Sequence, residues 1–190
     1  LQGQDPASGN APKQVVIFFH GYTQTGAGMK PLADALAKRL PDAAFIYNDG
    51  PLTANNGRSW YILRGEDPEN TRGASKQIAI DTVNKVSEGL KVPHDKIVTV
   101  GFSQGGGVAF DAGSCVSPDV NAIVSLAGVI ANGDCKSEGA ATPVLIVHNA
   151  GYPTVKADLI QVFQDKLKAS GYDSTLERVE GASHWPAPDG

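Results

Sequence analysis

The sequence predicts an α/β fold, a mostly parallel sheet of about six strands with helices on both faces, and three observations carry that reading. Short apolar runs rich in β-branched residues recur along the chain, as strands covered on both faces require. Segments with helical apolar spacing separate them. The central run, Lys96-Ile97-Val98-Thr99-Val100, passes through Gly101-Phe102-Ser103-Gln104-Gly105 into Gly106-Gly107-Val108-Ala109-Phe110, which reads as a strand, a sharp turn and a helix. Alternation at this spacing implies right-handed crossovers within one sheet.

Taken in order, Val15-Val16-Ile17-Phe18-Phe19 is a buried strand that runs directly into His20-Gly21-Tyr22-Thr23-Gln24-Thr25-Gly26. Pro31 to Leu40 places Leu32, Ala35, Leu36 and Leu40 on one helical face, with proline suited to the first turn. Ala43 to Tyr47 is a second strand. Asn48 to Ser59 is a loop by composition, closed by Trp60-Tyr61, an aromatic pair expected either to line a substrate pocket, with Trp60 in contact with the acyl group, or to pin the loop. Glu66 to Asn70 reads as a charged turn, followed by a helix from Gly73 that ends at Gly89 to Pro93, and His94 as a solvated histidine. Beyond the central turn, strands are expected at Asn121–Leu126, Pro143–Val147 and Ser174–Val179. The last two flank an amphipathic helix carrying Leu159, Ile160, Val162, Phe163 and Leu167, which Gly171 stops.

At 190 residues the chain is read as a flexible polar leader over 1–13 and a single domain over 14–190. Because it opens on Leu1, a piece upstream is expected to have been lost, by signal removal or cloning. A net charge of -4 leaves no basic footprint for nucleic acid. No apolar run approaches the ~20 residues of a membrane span. No H-E-x-x-H or C-x-x-C spacing offers a metal site, and no cofactor is implied. Cys115 and Cys135 are either idle thiols or a single loop-closing disulfide, depending on compartment. The bridge is the favoured reading, and with it a secreted or periplasmic location.

Chemistry enters through three turns. A G-x-S-x-G between strand and helix holds its serine on a strained backbone with the hydroxyl exposed, which makes Ser103 the candidate nucleophile. Serine needs a base, and histidine has the pKa for one at neutral pH. His184, in the Glu180-Gly181-Ala182-Ser183-His184-Trp185 loop after the last strand, is the histidine in a suitable place, since sites form where parallel strands end. The backbone N–H groups of Tyr22, in the His20-Gly21 turn, and of Gln104, just past the serine, are the expected oxyanion donors. Together these groups describe acyl transfer to water on a small-molecule ester or acyl substrate.

Gly101-Phe102-Ser103-Gln104-Gly105-Gly106, His20-Gly21, Gly57-Arg58-Ser59-Trp60-Tyr61 and Pro143-Val144-Leu145-Ile146-Val147-His148 together resemble the phospholipase/carboxylesterase group that includes acyl-protein thioesterases. The resemblance runs from about Val15 to Trp185. It implies an α/β-hydrolase without a large lid, acting on carboxylic esters or thioesters. His20 to Thr25 is also similar, over a shorter stretch, to secreted polyester depolymerases and feruloyl esterases.

The family pattern H-G-x-x-D-x-x-V, aligned on His148-Asn149-Ala150-Gly151-Tyr152-Pro153-Thr154-Val155, puts Tyr152 where the triad acid should stand. Losing the acid lowers turnover by about 10⁴-fold while leaving residual catalysis. The substitutes have poor geometry. Asp173 precedes the last strand, at the wrong sheet edge. Asp158 lies within a helix. Asp134 would be drawn by a Cys115–Cys135 bridge to the far end of the helix after Ser103, roughly 18 Å away at 1.5 Å per residue. Two functional expectations follow: a serine esterase or thioesterase using Ser103 and His184, or a catalytically impaired hydrolase fold that binds an ester or hydrophobic ligand.

Overall fold

A computed structural model describes residues 2–63, 68–128, 142–152, 157–181 and 183–185. In chain order the elements are β1 (Gly3–Gln4), β2 (Gln14–Phe19), α1 (Lys30–Ala37), β3 (Ala43–Asn48), β4 (Leu52–Ala54), β5 (Gly57–Ser59), α2 (Pro68–Leu90), β6 (Ile97–Phe102), α3 (Gln104–Ser114), β7 (Ala122–Leu126), β8 (Val144–Asn149), α4 (Ala157–Ala169) and β9 (Ser174–Val179).

Seven strands form the main sheet in the order β1-β3-β2-β6-β7-β8-β9. Every neighbouring pair is parallel except β1 with β3. The chain lays β3 on one side of β2 and then returns to place β6 on the other, so the strand order reverses between β2 and β6. A crevice opens at such a reversal, outside the carboxyl ends of the strands. β2 ends at Phe19 and β6 at Phe102, so the turns carrying Tyr22 and Ser103 leave the sheet side by side, Phe19 standing opposite Gly101.

Alternation along β2 shows why both faces are covered. Val15, Ile17 and Phe19 pack with Ala79, Val83 and Val86 of α2, Val108 and Phe110 of α3, and Ile160 and Leu167 of α4. Val16 and Phe18 point to the opposite layer with Phe45 of β3, Met29 just before α1 and Ala33 of α1. Every one of these side chains is buried, and at ~25 cal/mol per Å² removed from water the two layers supply the main drive to fold. Gly171, at φ +87°, closes α4 as expected, with the Tyr172 amide donating back to Leu167.

Several expectations are corrected. The leader is not wholly loose: Gly3 and Gln4 pair antiparallel with Ile46 and Phe45, and Tyr47 donates to the Gln2 carbonyl, because β3 would otherwise leave a bare edge. This pairing makes the seventh strand. Residues 48–59 contain the β4–β5 hairpin rather than loop alone. α2 begins at Pro68, so residues 68–70 are helical; proline has no N–H to lose in a first turn. His94 is buried, not solvated, with Nδ1 2.8 Å from the Pro118 carbonyl. Cys115 is disulfide-bonded; Cys135 and Asp134 lie outside the described residues.

Candidate active site

Ser103 sits at φ 52°, ψ -117°, a region that costs a non-glycine residue on the order of 1–3 kcal/mol. The surroundings hold it there. Its amide donates to the Leu126 carbonyl at 2.8 Å, and its carbonyl accepts from Gly106 at 2.9 Å. The flanking glycines answer to close approach: a Cβ on Gly101 would collide with the Gly105 carbonyl, and one on Gly105 with the carbonyls of Phe19 and His20. So tight a turn brings the first amide of α3, that of Gln104, beside the serine at a helix N-terminus, where anions are favoured.

The Tyr22 turn is braced from the β4–β5 hairpin. Thr23 N–H donates to the Arg58 carbonyl at 2.9 Å and Arg58 N–H to the Gln24 carbonyl at 2.8 Å. Gln24 Oε1 accepts from Gly21 N–H at 2.9 Å. Neither the Tyr22 amide nor the Gln104 amide has an acceptor among the described residues. Backbone donors left open in this way are what an oxyanion would require.

Gln104 contributes more than its amide. Its buried side chain accepts from Trp60 N–H at 3.0 Å and donates to the Tyr61 carbonyl at 2.8 Å and to Ser59 Oγ at 3.1 Å. That ties Gly57-Arg58-Ser59-Trp60-Tyr61 to the serine turn. Trp60 is buried in the core behind that tie: it is 2% exposed, donates Nε1–H to the His20 carbonyl at 2.9 Å, and packs on Phe19 and His20 with ring centroids 5.3 and 5.2 Å apart. Tyr61, Tyr22, Leu52, Ala54, Ile62 and Leu63 line a cavity of about 380 Å³ beside the Tyr22 turn.

His184 arrives from β9, three strands away from β6, a distance of about 14 Å at 4.8 Å per strand. The loop is stitched across as it returns. Gly151 N–H donates to the Gly181 carbonyl at 2.9 Å, and Ala150 N–H to the Val179 carbonyl at 3.0 Å. The Asn149 side chain then donates to the carbonyls of Ser183 at 3.0 Å and Trp185 at 2.9 Å, one on each side of His184. The imidazole that results lies with Nε2 2.8 Å from Ser103 Oγ.

Among the described residues no carboxylate takes the other nitrogen. His184 Nδ1 is buried with no hydrogen-bond partner among the described residues. Tyr152 instead lies flat against the ring, centroids 4.4 Å apart and planes 15° from parallel. Phe102 touches it at 4.8 Å, tilted by 47°. Burial pushes the His184 pKa below its usual 6.5, and the nearby His148 pushes it the same way. Asp173 lies at the opposite sheet edge, its carbonyl accepting from Val144 at the start of β8. Asp158 is exposed on α4. Among the described residues no three His, Cys, Asp or Glu side chains gather as a metal site would need, and no helix is long and apolar enough to cross a membrane.

Residues 6–189 match the family model for phospholipase/carboxylesterase. The chain belongs to that family. Its relatives include acyl-protein thioesterase 1 of Saccharomyces cerevisiae, 27% identical over 93% of this chain and 88% of that protein, and of Yarrowia lipolytica, 28% identical over 89% and 83%. Esterase YpfH of Escherichia coli is 23% identical over 90% and 76%. Among solved structures, esterase PE8 superposes with a TM-score of 0.88 at 24% identity, covering 100% of this chain and 92% of that one. The Bacillus cereus carboxylesterase gives 0.79 at 15%, covering 95% and 84%. The α/β-hydrolase fold read from the motifs is thereby shown.

Proposed function

We propose that this family member hydrolyses carboxylic esters or thioesters through an acyl-enzyme on Ser103, with His184 as general base and the amides of Tyr22 and Gln104 as oxyanion donors. The observation that carries the reading is the 2.8 Å contact between His184 Nε2 and Ser103 Oγ, formed by residues from separate turns beside two amides with no acceptor among the described residues. In the first half-reaction Ser103 Oγ attacks the carbonyl carbon while its proton passes to Nε2. The carbonyl oxygen becomes an oxyanion, each donor to it contributing very roughly 3 kcal/mol in comparable sites. Collapse expels the alcohol or thiol, which takes the proton back from His184. Water then repeats the sequence on the acyl-serine, with His184 accepting its proton.

The substrate class draws support from the relatives, which are named thioesterases and esterases. The cavity beside Tyr22, lined by both apolar and polar side chains, suits a small or medium acyl chain. A fluorophosphonate probe tests the chemistry directly. Covalent labelling of the native chain, abolished by Ser103→Ala, is expected; no label, or label indifferent to that substitution, would overturn the assignment. One observation favours a second reading, a hydrolase fold that binds an ester or hydrophobic ligand with little turnover: the triad-acid position holds Tyr152. A protein that binds p-nitrophenyl esters stoichiometrically but neither labels nor hydrolyses them would establish it.

A further inference from the structure

We propose that Tyr152 is the positioning residue of the base, its ring taking over by stacking what a carboxylate would do by hydrogen bonding. The inference rests on the Ser103–His184 reading above and goes beyond it to say how a base without an acid is kept competent.

An imidazole held by one hydrogen bond can swing its plane away from the serine. Here the plane is set by ring contact. Tyr152 covers one face of His184 at 4.4 Å and 15°. Tyr152 is itself anchored, its amide donating to the Asn149 carbonyl at 3.1 Å, one residue after Gly151 joins the His184 loop at Gly181. The ring and the base thus hang from the same pair of stitched turns, so they move together. The hydrogen bond to Ser103 then has only to select which nitrogen faces the hydroxyl.

Charge gives the ring a second role. When the Ser103 proton moves to Nε2 as the Oγ–carbon bond forms, the imidazole becomes a cation in a partly buried site. An aromatic face is attracted to such a cation, an effect worth about threefold to thirtyfold in an equilibrium or a rate. A carboxylate in that place is worth about 10⁴-fold. Among the described residues, the titratable side chains placed against His184 are Tyr152, in ring contact, and His148 at the end of β8, whose charge opposes protonation. Phe102 of β6 adds a ring but no charge. Of the two rings placed against His184 among the described residues, Tyr152 is the closer and the one lying parallel to the imidazole, and it favours the imidazolium through its face and not its hydroxyl.

The test is an NMR titration of His184 beside kcat and KM on p-nitrophenyl acetate, for the native chain, Tyr152→Phe and Tyr152→Leu. Tyr152→Phe keeps the ring and is expected to stay within about twofold in kcat with an unmoved His184 titration. Tyr152→Leu is expected to lose about threefold to thirtyfold in kcat, with KM within about twofold, and to lower the His184 titration point by about half a pH unit or more. Should Tyr152→Leu fold poorly, Tyr152→Met fills the space without a ring and must behave as described for leucine. A His184 titration that does not move on loss of the ring, or Tyr152→Phe falling as far as Tyr152→Leu, overturns the proposal. If the native chain hydrolyses no ester at all, the functional reading fails, while the titration still decides whether the ring supports the imidazolium.

Discussion

Asn149 donates its side-chain amide to the Trp185 carbonyl at 2.9 Å, and with the bond to Ser183 at 3.0 Å it grips the backbone on both sides of His184. Where the family pattern has a glycine, this chain has a side chain that reaches across to the base loop. The loop has crossed about three strand spacings to get there, so its last turn needs a fixed point close to the site. Asn149→Ala is expected to lower kcat by about tenfold to a hundredfold with KM little changed, because a displaced base costs turnover more than binding. Steady-state kinetics decide it, and a native kcat would mean the loop is held without this clamp.

Gln104 joins the serine turn to the segment around Trp60 through its side chain, and its backbone amide is the proposed oxyanion donor. Gln104→Ala separates the two, since the amide remains. Its loss leaves the buried Trp60 N–H without its acceptor and the Tyr61 carbonyl with the Ser59 hydroxyl alone. The expected cost is about 1–3 kcal/mol of folding stability, read from the urea midpoint, with fluorophosphonate labelling of Ser103 slowed but still present.

Tyr152→Asp places a carboxylate at the family's acid position, near the Nδ1 that has no partner among the described residues. An acid there steadies the imidazolium in the transition state, and the expected gain in kcat runs to orders of magnitude, up to about 10⁴-fold. The pH profile should change with it. In the native chain burial, and after it His148, holds the His184 pKa below 6.5, so the imidazole stays neutral, and able to act as the proposed base, down to a more acidic pH than an ordinary histidine would. A carboxylate raises that pKa, and the acid limb of kcat/KM should move to higher pH. A native limb at or above 6.5, or a rate that does not rise with aspartate, would contradict this account.

How much of this was legible in the residues depends on whether a residue's role is local. Gly101, Ser103 and Gly105 could be read because a sharp turn at the end of a buried strand demands those types whatever surrounds them. The parallel sheet could be read because strands buried on both faces are apolar throughout. Trp60 could not, since an aromatic beside a glycine-rich loop has the same pattern whether it walls a pocket or plugs a core; only its 2% exposure separates the two. The Asn149 clamp was hidden for a different reason. Its partners lie 34 and 36 positions away, and nothing in either segment announces that β8 and β9 are neighbours. Tyr152 was legible as a departure from a family pattern, whereas its stacking on His184 needed coordinates.

His20 carries a pH dependence that belongs to stability and not to catalysis. It is 0% exposed, and both ring nitrogens are engaged: Nδ1–H donates to the Gly21 carbonyl at 2.7 Å, and Nε2 accepts from Gly50 N–H at 2.8 Å. A proton on Nε2 would cancel the second bond. Burial is the largest influence on its pKa and lowers it below 6.5, outweighing the Gly21 carbonyl and Asp49, which act the other way. In the unfolded chain the same histidine titrates near 6.5. Below that pH the unfolded state therefore binds a proton that the folded state refuses, and stability falls as pH falls from about 6.5 towards the lower folded value, while above 6.5 it is fully present. The slope is at most about 1.4 kcal/mol per pH unit for one such group, and His184, also lowered, adds to it with the same sign. Urea midpoints across pH 5 to 8 are expected to be level at the alkaline end and to drop below about 6.5. His20→Gln, which has no proton to take up, should start less stable because it strains the Gly21 and Gly50 contacts, yet decline less steeply. An undiminished slope in that variant would place the sensitivity elsewhere.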